Sequence, residues 1–140
     1  MSIAERQAEI IEEFSMFDEW MEKYEYIIDL GKELSPMDEA YKTDEHIIKG
    51  CQSKVWLHGE LNDEGNVIFQ ADSDAIITKG LVALMVRVLS GASPEEIVSA
   101  DLHFVQEIGL NEHLSPTRSN GLLAMIKQMK FYGLAVQAKR

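Results

Sequence analysis

The sequence predicts an α+β fold, a small antiparallel sheet of two to three strands packed against helices from both chain ends. Three observations carry that prediction. Apolar residues recur at helical spacing from Ile10 to Ile28, through Phe14, Phe17, Trp20, Met21 and Tyr24. Val55, Leu57, Gly59 and Leu61 then alternate with Trp56, His58 and Glu60, the period of a strand. From about residue 74 the helical period returns and holds to the C-terminus. The 140 residues suit one compact domain, 1–140. A chain of this size buries roughly two thirds of its unfolded surface and needs no covalent staples.

The elements follow in order. Ser2 and Glu5 in "SIAE" form a capping box that starts the first helix. Ser15 and Asp18 are each candidate caps for a second helix, so a break is expected near 15–18, and Gly31 is a candidate stop. "LSPMDEAYKTDEH", residues 34–46, reads as a polar loop. Ile47 and Ile48 are candidates for a short strand before Cys51. Residues 55–61 form a strand, "NDEGN" at 62–66 a turn, and "VIFQAD" at 67–72 the returning strand. Ser73 or Asp74 is expected to cap "AIITKGLVALMVRVLS", which is apolar nearly all round and so buried on most sides. "SPEE" at 93–96 is a second capping box with Pro94 in the first helical position. Asp101 is expected to cap a short helix ended by Gly109. Ser115 and Pro116 open a last, amphipathic helix that runs to the end.

Composition excludes several functions. The net charge is −11, and residues 1–45 hold 14 acids against 4 bases. An acidic first third repels phosphate backbones, so a nucleic-acid partner is not expected. No apolar run approaches the ~20 residues that span a bilayer, so no membrane partner is expected. No basic stretch followed by an apolar run opens the chain, and its one cysteine cannot form an internal disulfide. The expected location is the cytoplasm, where a free thiol stays reduced.

Cys51, the single cysteine, with His46, His58, His103 and His113 shows no familiar metal-ligand spacing. His46 lies five residues before Cys51 and His58 seven after, neither diagnostic of a nucleophile–base pair. There is no G-x-S-x-G elbow, P-loop or dinucleotide fingerprint. What remains is sulfur chemistry on one thiol. Cys51 follows Gly50 where the chain turns into a strand, and Lys49 and Lys54 are expected to favour its thiolate. A thiolate can attack a sulfur on a donor and keep it as a persulfide. The residues alone leave a second reading open, a cysteine that is a small core hydrophobe.

"GCQSKVWL" at 50–57 resembles the core motif of the SufE family, sulfur-acceptor proteins that assist cysteine desulfurases. "WMEKYEYIIDLGKEL" at 20–34, "ADSDAIITKGLVAL" at 71–84 and "LSPTRSNGLLAMI" at 114–126 resemble further segments of that family, in family order. The resemblance implies a SufE/IscU-like α+β fold. It implies that Cys51 accepts sulfane sulfur as a persulfide from a partner cysteine desulfurase of the SufS type and stimulates that enzyme. Sulfur then passes to an iron–sulfur assembly scaffold. Pyridoxal phosphate is expected in the partner and no cofactor in this chain. Gly50, Gln52, Ser53 and Trp56 complete the motif around the thiol, and Asp72, Ser73 and Asp74 match the segment beside it. Arg118 matches an arginine expected to contact the partner or steady the negative persulfide.

Each has a plainer reading. Trp56 suits a core, Asp74 a helix cap, and Gly80 close helix packing. Arg118 near a helix start opposes the dipole, which favours a binding role. The implied mechanism is a loop that tucks Cys51 away at rest and swings out on docking, hinged at Gly50. The alternative is a non-catalytic interaction module or scaffold that binds the desulfurase without carrying sulfur.

Overall fold

A computed structural model describes residues 1–139. Helix α1 (Ile3–Phe14) begins with the expected box: the Ser2 hydroxyl accepts from the Glu5 amide and the Glu5 carboxylate from the Ser2 amide, each at 3.1 Å. These bonds satisfy two amides that a helix start otherwise leaves unpaired. Helix α2 (Trp20–Lys32) is capped neither by Ser15 nor by Asp18. Its cap is Glu19, whose amide donates to the Glu22 carboxylate at 3.3 Å, while the Ser15 hydroxyl turns back to the Glu12 carbonyl. Gly31 is no stop either. It is buried inside α2, and a Cβ there would lie 2.8 Å from the Gly80 nitrogen.

Residues 34–46 are more ordered than a polar loop. Two 3-10 turns, Glu39–Tyr41 and Asp44–His46, lay this segment over the sheet's outer face, and Met37 is 4% exposed. The Asp38 amide donates to Gln70 Oε1 at 2.9 Å, Lys42 Nζ lies 2.8 Å from the Asp72 carboxylate, and the Tyr41 ring stacks on His58. Strands β1 (Val55–Leu61) and β2 (Val67–Ser73) pair antiparallel, with Val55 opposite Ser73 and Leu61 opposite Val67. Alternation sends Val55, Leu57, Phe69 and Ala71 into the core. Ile47 makes only an isolated bridge to Trp56, so among the described residues the sheet has two strands.

Helix α3 (Ile76–Leu89) runs through the core, with Leu81, Leu84, Val88 and Leu89 essentially inaccessible. Ala75, not Ser73 or Asp74, occupies its cap position. The two polar residues bind the residue that precedes β1 instead: the Ser73 hydroxyl donates to the Lys54 carbonyl at 2.9 Å and the Asp74 carboxylate accepts from the Lys54 amide at 3.0 Å. Helix α4 (Pro94–Ser99) has its predicted Ser93–Glu96 box. Helix α5 (Phe104–Glu107) is not capped by Asp101. Gln7 of α1 does this from across the chain, accepting from the Phe104 amide and donating to the Asp101 carbonyl, each at 3.1 Å. Gly109, at φ +87°, separates α5 from α6 (Leu110–His113). Helix α7 (Pro116–Lys139) starts at Ser115, whose hydroxyl accepts from the Arg118 amide at 3.3 Å. It buries Leu122, Met125 and Met129, but Leu123, Phe131 and Leu134 are exposed, so its polar face is not continuous.

Candidate functional site

The segment between the Ile47 bridge and β1 carries Cys51. Gly50 adopts φ +98°, a left-handed conformation in which a side chain is strained. That turn directs Cys51 at α7, where its Sγ lies 3.6 Å from the Gly121 carbonyl oxygen and donates to it. A Cβ on Gly121 would sit 3.6 Å from Sγ, in ordinary contact. At the other end of the segment, the Asp74 and Ser73 bonds to the Lys54 backbone fix where the loop becomes strand.

Cys51 faces a cleft of about 360 Å³ between its own loop and the beginnings of α3 and α7. Ile77, Leu81 and Met125 give it apolar walls, and Ser53, Thr78 and Arg118 add polar groups. The cysteine is half-buried, and burial pushes its thiol pKa up. This corrects the expectation that Lys49 and Lys54 favour the thiolate. Both lysines are exposed, and desolvation decides the direction. Burial therefore favours the neutral thiol over the thiolate in this position.

The structure brings Gln52, Ser53 and Arg118 to the same cleft as Cys51, with Gly50 at the turn before it. It does not bring Trp56 or Asp74 there. Trp56 is half-buried on the outer face of β1, opposite Asp72, with Lys42 Nζ 6.0 Å from its ring centroid, so it is not a core aromatic. Asp74 is exposed and acts on the Lys54 amide. The four histidines fall in three places, none of them at the cleft: His46 and His58 together beside Tyr41, His103 against Glu107, and His113 stacked on Trp20. Among the described residues no three His, Cys, Asp or Glu side chains form a group able to hold a metal. The sequence reading missed Thr78 and Gly121. Gly121 lies within the segment "LSPTRSNGLLAMI", three residues after Arg118, and Thr78 is a lone hydroxyl in an apolar run, a signal available but unused.

The family model for SufE, described as an Fe-S metabolism associated domain, matches residues 8–132. The chain belongs to the SufE family. It is 42% identical over 131 residues to SufE-like protein 1, chloroplastic/mitochondrial, of Arabidopsis thaliana. The match covers 94% of this chain and 35% of that protein, so the chain spans about a third of the relative's length. In fold, this SufE-family chain is similar to the solution structure of a hypothetical protein from Thermus thermophilus, with a TM-score of 0.78. That likeness, at 18% identity, covers 95% of this chain and 96% of the other. No described helix is long and apolar enough to cross a membrane.

Proposed function

We propose that this chain is a sulfur carrier. It takes sulfane sulfur as a persulfide on Cys51 from a partner cysteine desulfurase, stimulates that enzyme, and passes the sulfur to an iron–sulfur assembly scaffold. The observation that carries this reading is the solitary thiol of a SufE-family chain, held at the mouth of a cleft by a turn with a left-handed glycine. The Cys51 thiolate attacks the outer sulfur of a donor persulfide. A new S–S bond forms on Cys51, the donor's S–S bond breaks, and the donor leaves as its thiolate. Pyridoxal phosphate, which generates the donor persulfide, belongs to the partner; this chain supplies the acceptor and its protection.

Burial that raises the thiol pKa opposes this attack, so the loop has two tasks. Tucked, with Sγ on the Gly121 carbonyl, it guards the sulfur from small thiols. Swung out on docking, the thiol regains water, its pKa falls back and the thiolate forms. Gln52 and Arg118 lie at the exposed rim, where a partner's surface can reach them.

Cys51→Ser tests the reading. The variant is expected to keep its fold and its binding to the desulfurase yet lose stimulation of sulfide release from cysteine. Stimulation equal to that of the wild type would instead favour an interaction module that carries no sulfur.

A further inference from the structure

Among the described residues three polar side chains are buried: Gln7, Ser73 and Thr78. Gln7 makes two hydrogen bonds to backbone, and the Ser73 hydroxyl donates to the Lys54 carbonyl. Thr78 is 8% exposed, and its hydroxyl makes no hydrogen bond among the described residues. The side chain is largely buried, yet among the described residues only His58 Nε2 is sealed off without a hydrogen-bond partner, so the Thr78 hydroxyl keeps some exposure and remains an unpaired donor. What Thr78 faces is the Cys51 cleft.

Two helices also begin at that cleft. Ala75 and Ile77 at the start of α3, and Ser115 and Thr117 at the start of α7, line it, and these helices are 14 and 24 residues long. Their first turns present amides and a partial positive charge, a setting that favours an anion. The resting thiol is not an anion; it donates to the Gly121 carbonyl. A persulfide is a stronger acid than its parent thiol, and its anion can only accept hydrogen bonds. Adding one sulfur therefore inverts what the site must supply. Gly121 offers a carbonyl, which cannot serve the anion. Thr78 offers an unused donor.

We infer that the Thr78 hydroxyl donates to the terminal sulfur of a Cys51 persulfide, seated where α3 and α7 begin. The added sulfur lies one S–S bond, about 2 Å, beyond Sγ and inside the cleft. Thr78 thus has no partner in the empty carrier and gains one in the loaded carrier. The inference rests on the carrier reading, and the test separates the two.

The persulfide is made in two ways on the whole chain. In one, a desulfurase and cysteine load it. In the other, Cys51 is first converted to a mixed disulfide with an aromatic thiol. Hydrosulfide then attacks the Cys51 sulfur, an S–S bond forms on it, and the aromatic thiolate leaves. Mass spectrometry follows loss of the extra sulfur under a fixed concentration of small thiol, and near-ultraviolet absorbance follows the persulfide's titration with pH. In the chemically loaded protein, Thr78→Val is expected to shorten the persulfide lifetime about tenfold, the scale of one charge-assisted hydrogen bond. The persulfide pKa should rise in the same variant. Thr78→Ser should restore both, and Thr78→Ala, which also lacks the hydroxyl, should match Thr78→Val. A Thr78→Val persulfide with wild-type lifetime and pKa overturns the inference. If desulfurase fails to load wild-type Cys51 while the chemical arm shows the Thr78 effect, the carrier reading falls and the seat stands.

Discussion

Gly80 and Thr78 are two residues apart on α3, and they stand in opposite surroundings. At Gly80 the backbones of α2 and α3 touch: a Cβ there would lie 2.2 Å from the Ile27 carbonyl oxygen. At Thr78 the same helix faces a cleft of about 360 Å³. The closed side is tied further by charge. Glu13 of α1 accepts from Arg87 of α3 and from the Tyr26 hydroxyl of α2, so one carboxylate joins three helices. On the open side the side chain of Cys51 reaches α7 through a single sulfur hydrogen bond at 3.6 Å. The difference teaches how a small protein divides its contacts about a central helix: backbone touching and a shared carboxylate tie one side, while across the cleft on the other side the cysteine side chain meets α7 through one weak bond.

The largest expected effect breaks the closed side. Gly80→Ala forces a methyl group into backbone and should cost about 2–3 kcal/mol, lowering Tm by roughly 10 °C in a thermal melt. Gly121→Ala is its counterpart on the open side. There the new methyl meets Sγ at an ordinary 3.6 Å and a helical glycine is removed, so stability should hold or rise by up to about 1 kcal/mol. Equal losses in the two variants would contradict the comparison.

Next comes the clamp. Its hydrogen bonds to Arg87, with help from Tyr26, hold the Glu13 carboxyl below its ordinary value of 4.5, while burial and Glu13 push Tyr26 up to about 12. A carboxyl whose folded pKa is depressed stabilises above its unfolded pKa and loses that contribution as pH falls through the folded value. Glu13→Gln should therefore cost about 1–2 kcal/mol in denaturant titrations at pH 7. The gap from wild type should close as the pH drops below 4.5. Gly50→Ala should have a smaller effect on stability, about 1 kcal/mol, from strain at φ +98°. It should also displace the loop, so that Cys51 alkylates faster at neutral pH than in the wild type; an unchanged rate would show that the turn does not set the thiol's shelter.

Much of this contrast was legible in the sequence. The 3.6 and 2.0 periods located the helices and both strands, and the Ser2 and Ser93 boxes marked two helix starts to the residue, because those signals are local. Three of the misassigned caps share one cause. Ser73, Asp74 and Asp101 sit in good cap positions, but tertiary partners changed their use: the Lys54 backbone engages the first two, and Gln7 caps α5 from 97 residues away. Gly31 read as a stop because its real role, contact with Gly80, is visible only when two helices meet. At the site, the motif at 50–57 located Cys51, Gln52 and Ser53 and the segment at 114–126 located Arg118, while Trp56, within the same eight residues as the cysteine, was sent to the outer face by strand alternation. Flanking lysines suggested an activated thiol because charge is written in sequence and burial is not.

The most direct test is the mass of this chain after incubation with a cysteine desulfurase and cysteine. The carrier account predicts one added sulfur on Cys51, removable by a thiol reductant and missing from Cys51→Ser. A wild-type chain that stimulates the desulfurase yet never gains that sulfur would contradict it.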